Sequence, residues 1–229
     1  MGLFRRNKNS KKPVILQIID LLPRWMIESC AKTHKSDKGF SKYKTYDQFA
    51  ALTYGQLNKC YTLNDISTGI GVSETFIADL GLTQSPARST MSDSHKKRDW
   101  KVFESLYHKI LNHYEWVLKN ESQRRIIAEI KDQTIKLIDS TTISLCLNMF
   151  DWAKFRTAKD GLKIHTCWDD NLQIPDLANI TEAKTHDRYG IGQLVFKKGT
   201  IVVEDRGYFD FSLMLTRIRA ENISLLESR

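Results

Sequence analysis

At 229 residues, 41% hydrophobic and 27% charged, the chain has the composition of a soluble globular protein and room for one large or two modest domains. Its formal net charge is +8, and residues 1–50 carry eleven Lys/Arg against four Asp/Glu, so nearly all the excess sits at the N-terminal end. Such an excess suits a polyanion through counterion release, and suits equally a basic tail that is merely soluble.

No apolar run is long enough for a bilayer span, since Ile201-Val-Val is short and Leu106 to Leu118 is amphipathic. The start, Met1-Gly-Leu-Phe-Arg-Arg-Asn-Lys, lacks the apolar stretch and small-residue cleavage site of a secretory signal. Arg6 stands where a myristoylation signal has Ser or Thr. Cys30, Cys60, Cys146 and Cys167 show no Cys-x-x-Cys spacing. Neither a zinc site nor a disulfide framework is indicated, and a reducing cytoplasm fits.

Residues 1–12 read as a flexible basic tail. From Val14 to about Lys119 the pattern is helical. Val14, Ile15, Ile18, Leu21 and Leu22 recur at helical spacing, and Pro23 sits where a new helix can begin. Asp47 precedes Phe49, Leu52, Tyr54 and Leu57, the pattern of a capped amphipathic helix. Thr62-Leu-Asn-Asp65 has the shape of a capping box, with Asp where Glu or Gln is usual, before Ile66 and Ile70. Ser85-Pro86 offers an N-cap and a proline at the first helical position, opening a helix through Arg98. Asp99 then starts a long helix whose stripe of Trp100, Phe103, Leu106, Ile110, Leu111, Tyr114 and Val117 predicts a core face.

Helices 62–70 and 85–97 could pair as a helix-turn-helix, although the stretch 71–84 between them is longer than the usual turn. In such a pair Arg88, Ser89, Ser92 and His95 would face the DNA groove, and Lys96, Lys97 and Arg98 would contact phosphates. The competing reading is a solvated basic helix end, where Lys and Arg suit the dipole.

The character changes near Gln133. Strand patterns cover 134–139, 161–169 and 174–183. A helix capped by Asp187 follows, then a strand at 200–205, a helix from Asp210 to Glu221 and a last strand at Ile223-Ser-Leu-Leu. That order matches a ribonuclease-H-like sheet, in which three strands form a meander and the fourth returns beside the first. Asp139 ends the first of these patterns and Asp205 the fourth, so the two acids would meet at the rim of the sheet. Two carboxylates that close repel, and a divalent cation relieves the repulsion. Oxygen ligands point to Mg²⁺ or Mn²⁺. The competing reading is that each Asp only caps the next turn.

Around this pair, Glu204 is expected on the opposite face from Asp205, as a buried or solvated bystander. Lys163 and His165 share one face of their strand and could touch phosphate, while His165 reads equally as a satisfied interior imidazole. Arg206 could bind a DNA phosphate or pair with an acid.

Five segments carry a family resemblance: Asp139-Ser-Thr-Thr-Ile-Ser-Leu-Cys-Leu, Phe150-Asp-Trp-Ala-Lys-Phe-Arg156, Gly161-Leu-Lys-Ile-His165-Thr, Ile180-Thr-Glu-Ala-Lys-Thr-His-Asp187 and Asp205-Arg-Gly-Tyr-Phe-Asp-Phe211. Together they resemble the insertion-sequence-four family of DDE transposases, over roughly residues 12–229. The resemblance implies a multidomain α and α/β chain. Residues 13–125 would be a helical DNA-binding domain, and 130–229 a ribonuclease-H-like catalytic domain with a mixed sheet. Asp139 and Asp205 would be the first and second catalytic and metal-binding acids, with two Mg²⁺ or Mn²⁺ ions in the complete enzyme.

The substrate implied is double-stranded DNA, both the terminal inverted repeats and the target. A homodimer in the synaptic complex and a location on bacterial cytoplasmic DNA, away from membranes, follow from the same resemblance. The family's third acid is a Glu in a Tyr-x-x-Arg-x-x-x-Glu signature. Neither Glu221 nor Glu227 has that Tyr and Arg around it. The domain is therefore expected to be incomplete after its fifth strand, which predicts weak strand cleavage by this chain alone. The rival class is a DNA-binding fragment or transposition inhibitor without catalysis.

Overall fold

The computed structural model describes residues 12–121, 133–144, 161–191 and 194–226. Most of the basic tail, Cys146 and the Phe150–Arg156 motif lie outside the described residues. The chain divides into two compact units, residues 1–114 and 115–229. Among the described residues, no helix is long and apolar enough to cross a membrane.

The first unit is helical throughout: α1 (Val14–Asp20), α2 (Arg24–Thr33), α3 (Thr45–Leu57), α4 (Leu63–Ile70), α5 (Glu74–Asp79), α6 (Arg88–Lys97) and α7 (Lys101–Glu121), whose later residues belong to the second unit. Pro23 stands at the N-cap of α2, where its missing N–H costs nothing. The capping box forms as expected: Thr62 Oγ1 accepts from the Asp65 amide at 3.1 Å, and Asp65 Oδ2 accepts from the Thr62 amide at 2.8 Å. Asp47 differs from expectation. Helix α3 begins two residues before it, and its carboxylate accepts the Lys44 amide at 2.7 Å from inside the first turn.

Ser85 also differs. Helix α6 starts at Arg88 without a side-chain cap, and Ser85 Oγ instead donates to the Ser67 carbonyl at 2.7 Å, tying the approach to α6 onto α4. The apolar stripes bury Leu16, Ile19, Ala50, Ala51, Ile66, Ile70, Leu80 and Met91 in one cluster, and Met26, Ile27, Cys30, Val102 and Leu106 in another. Trp100, expected in the α7 core face, is 62% exposed because α7 begins after it.

The second unit holds a five-stranded mixed sheet with helices, as a partial ribonuclease-H-like fold requires. Its strands are β1 (Ile135–Ser144), β2 (Gly161–Asp169), β3 (Ile174–Glu182), β4 (Ile201–Glu204) and β5 (Ile223–Leu226), in the order β3-β2-β1-β4-β5. The first three form the antiparallel meander, while β4 is parallel to both β1 and β5. Helix α8 (Asp187–Ile191) lies between β3 and β4, and α9 (Phe211–Arg219) between β4 and β5. Asp210 caps α9 by accepting from the Ser212 and Leu213 amides. One sheet face packs Ile138, Cys167 and Val202 together with Tyr208. Burial pushes the Cys167 thiol up to about 12, which keeps it an inert core residue.

Candidate functional site

Strand β1 does not stop at Asp139. It continues to Ser144, paired with β2 along its whole second half, so the Ser-Thr-Thr run after Asp139 is extended backbone. What ends near Asp139 is the neighbouring strand. The last β1–β4 pair is Ile138 with Glu204, and Asp139 and Asp205 are the residues immediately after that pair.

Alternation along a strand turns each Asp away from its predecessor. Ile138 and Glu204 are 3% and 2% exposed, whereas Asp139 is exposed and Asp205 half-buried. Asp139 therefore turns to the face opposite Ile138, and Asp205 follows the last paired residue of β4 in extended backbone. Asp139 Oδ1 accepts the Ser140 amide at 2.7 Å. Asp205 Oδ1 accepts the Gly207 amide at 3.4 Å and caps a 3₁₀ turn, Arg206–Tyr208. Among the described residues neither acid has an ion-pair partner. Capping thus occupies one oxygen of Asp205, loosely, and leaves the other available.

Two hard carboxylate donors at one strand end fit Mg²⁺, which is commonly held by one or two carboxylates with water and substrate phosphate completing the shell. Among the described residues no group of three or more His, Cys, Asp or Glu gathers as a fuller cage.

The opposite side of this rim carries a polar cluster that sequence reading missed. Asp187 Oδ1 accepts from Ser140 Oγ at 2.9 Å, is 3.0 Å from Lys163 Nζ and lies 3.8 Å from His165 Nδ1. His165 is fully buried, its Nδ1 bonded to Tyr208 Oη at 3.2 Å and its Nε2 to Thr181 Oγ1 at 2.9 Å. Gly190 makes this packing possible, since a Cβ there would stand 2.3 Å from the His165 ring. Burial raises Asp187, but Lys163 and Ser140 outweigh it and hold the carboxyl below its ordinary value. Tyr208 is pushed up to about 12, first by burial, and then by the charges of Asp187, Asp139 and Glu204. A signal existed in the sequence: residues 140, 142, 163 and 165 fall on one face once β1 is extended through the Ser-Thr-Thr run.

These contacts correct two expected DNA contacts. His165 is an interior imidazole and presents nothing to phosphate. Lys163 is committed to Asp187 and to the Thr185 carbonyl at 3.2 Å. Arg206 is exposed, with no partner among the described residues. Glu204 is buried, and its carboxylate pairs with the Arg217 guanidinium beneath the sheet, at 0% and 3% side-chain exposure.

His165 has a consequence for pH. Burial lowers its pKa more than Asp187 raises it, with Lys163 also lowering it. The unfolded imidazole gains a proton below about pH 6.5 while the folded one resists it. Stability is then full above that pH and declines as pH falls below it. The thermal midpoint of the wild type is expected to drop between about pH 7 and pH 5.5. His165→Gln should flatten that slope, and an unchanged slope would refute the assignment.

In the helical unit, Arg88, Ser89, Lys96 and Lys97 are exposed on α6, and Ser92 is half-buried. Arg98 does not belong with them. It is 7% exposed, and its guanidinium donates to Gln48, Ser94 and the Ser36 and Tyr43 carbonyls, lies 3.5 Å from Asp37 and stacks on Phe40. It is a core hub, so it cannot serve as a phosphate contact in this fold. His95 is half-buried with its Nε2 enclosed, and burial and Arg98 lower its pKa. A neutral, partly enclosed ring is a poor anion contact.

The long stretch between α4 and α6 holds α5. The three residues Gly71, Val72 and Ser73 join α4 to α5, with Ser73 Oγ accepting the Phe76 amide at 3.4 Å. That is helix-turn-helix spacing, and the capping Ser73 just past Ile70 was its signal. Helix α5 carries Glu74 and Asp79 and no Lys or Arg, so it lacks the charge for phosphate contact. Helix α6 has it.

Residues 130–224 match the family described as a transposase DDE domain, and residues 10–83 match a domain of unknown function (DUF4372). A "Probable transposase for insertion sequence element IS5377" of Geobacillus stearothermophilus is 28% identical over 75 residues, 33% of this chain and 20% of that protein. A "Putative transposase y4zB" of Sinorhizobium fredii (strain NBRC 101917 / NGR234) is 25% identical over 124 residues, 54% of this chain and 32% of that protein. The aligned stretches thus span a third or less of these curated relatives. No solved structure matches the chain significantly. The half that holds the sheet is thus similar to a transposase DDE domain.

Proposed function

We propose that the chain is a DNA transposase polypeptide of the insertion-sequence-four type, in which the helical unit binds element ends and the sheet unit carries the cleavage site. The supporting observation is the β1–β4 register, which brings Asp139 and Asp205, sixty-six residues apart in sequence, to equivalent positions at one strand end. The two carboxylates would hold Mg²⁺ or Mn²⁺, which when bound neutralises phosphate charge and lowers the pKa of water. A water oxygen forms a bond to phosphorus, the bond from phosphorus to the 3′ oxygen breaks, and that oxygen leaves as a 3′-hydroxyl. The same hydroxyl oxygen then bonds to a target phosphorus while the target's own bond from phosphorus to its 3′ oxygen breaks, and that oxygen leaves as a 3′-hydroxyl by taking up the proton that the attacking hydroxyl gives to water. No covalent protein–DNA intermediate is required. Exposed Arg206, next to Asp205, is available to a DNA phosphate.

End binding falls to Arg88, Ser89, Ser92, Lys96 and Lys97 of α6. Exposed Lys42 extends that surface, since it lines the same cleft as Ala87 and Thr90. The full reaction on paired ends and target requires a homodimer and a third acid, both outside what the two aspartates supply. One observation favours a second reading, a DNA-binding polypeptide without cleavage: the described residues gather no third acid beside the pair.

Gel retardation and nicking of a labelled DNA end, with Mn²⁺ and Mg²⁺, test the two readings together. Retardation should fall by about 10³-fold between 50 and 200 mM salt if about six phosphates are neutralised. Binding that ignores salt would end the end-binding assignment. Any metal-dependent nicking, expected to be weak, should vanish in Asp139→Ala and in Asp205→Ala. Nicking that survives both substitutions would overturn the cleavage site, and complete absence of nicking in the wild type would favour the second reading.

A further inference from the structure

We propose that Asp187 is a positioning residue for the two-aspartate site, because its carboxylate bonds the strand carrying Asp139 and packs against the turn that follows Asp205. Strand β4 is four residues long, and its pairing with β1 ends at Glu204. Beyond that point no backbone pairing holds the Asp205 segment against β1, while two like charges push the segments apart.

Asp187 stands where a tie is needed. One oxygen accepts from Ser140, the residue directly after Asp139, at 2.9 Å. The other faces Gly207, the residue whose amide binds Asp205, and a Cβ at Gly207 would lie 3.3 Å from it. Lys163 balances its charge at 3.0 Å. Helix α8, which carries Asp187, is itself held by Asn179 Nδ2 donating to the Gly190 carbonyl at 2.8 Å. From the same turn Tyr208 reaches back to His165 on β2. Asp187 belongs to the opposite side of the sheet from Asp139, so it acts through the backbone of both segments and has no part in the donor set.

This inference rests on the two-aspartate reading of the site. Its test uses the full chain and Mn²⁺ alone, titrated by water-proton relaxation well below the thermal midpoint of every variant. Wild type should bind Mn²⁺ saturably, and Asp139→Ala should abolish that binding. Asp187→Asn should weaken it by about 10- to 100-fold, the range typical for groups that orient metal ligands. Ser140→Ala keeps the Asp187–Lys163 pair and removes the tie to β1 together with the Ser140–Tyr208 contact, so it should weaken Mn²⁺ in the same direction. It also decides the matter if Asp187→Asn does not fold.

Full Mn²⁺ affinity in folded Asp187→Asn or Ser140→Ala, with only the midpoint changed, would overturn the positioning role and leave the two-aspartate site standing. Mn²⁺ binding that persists in Asp139→Ala would overturn the site itself.

Discussion

Arg217→Met is expected to destabilise the sheet unit by about 3–5 kcal/mol, the cost of leaving one partner of a buried ion pair unmatched. Glu204 sits at the end of β4 with its side chain fully buried, and Arg217 reaches it from α9. Each partner has buried polar atoms without a hydrogen bond: Oε2 of Glu204, and Nε and Nη2 of Arg217. Arg217 Nη1 makes one further contact, with Ser224 Oγ at 3.3 Å. Removing the guanidinium would force Glu204 to take up a proton or open the interior to water. The combined change Glu204→Leu with Arg217→Met should recover most of the loss, because two apolar groups need no partner. Urea denaturation of the two variants reads this directly. A single variant as stable as the wild type would show that the pair adds nothing to β4.

Arg98→Met should cost a similar amount, about 3–5 kcal/mol, in the helical unit. The substitution preserves much of the apolar stem. It strands Gln48 and Ser94 side chains and the Ser36 and Tyr43 carbonyls, all of which take hydrogen bonds from the guanidinium. Lys96→Ala and Lys97→Ala provide the contrast. Both lysines are exposed, so their stability effect should stay within about 0.5 kcal/mol, while their loss weakens DNA retardation. Circular dichroism melts alongside gel retardation separate the two roles. If Arg98→Met melted like the wild type and lost only DNA binding, the buried-hub assignment would be wrong.

Much of this architecture is legible in the residues. Thr62 and Asp65 announce the start of α4 because their reciprocal bonds involve only neighbours three positions apart. The strands near 161–169, 174–182 and 223–226 carry their own patterns, and their order is enough to make β1 and β4 neighbours. What stayed hidden depends on distant partners. Arg98 reads as a surface cation until Gln48 and Ser36, fifty and more residues away, enclose it. Ser85 reads as a cap until the Ser67 carbonyl claims its hydroxyl. The second half of β1 is polar, yet Thr141 and Thr142 are good strand residues once β2 pairs with them. Helix α5, six residues long, is too short to show a periodic stripe. The two aspartates were visible as a pair, whereas the cluster on Asp187 needed the register to bring strands β1 and β2, helix α8 and the turn together.

The parallel contact of β1 with β4 joins Ile135 to Ile201, while β1–β2 and β2–β3 join residues much nearer in sequence. Closing the longer loop costs more chain entropy before any contact repays it. The hairpins should therefore zip early and the β1–β4 seam late, so that protection of the Val202 amide from deuterium trails that of Cys167 during refolding; simultaneous protection would argue against this order. An intermediate on that route would hold a folded meander with Asp139 in place before the second carboxylate arrives. The chain would bring its two aspartates together only in the closing steps of folding, after most of its β-structure is secure.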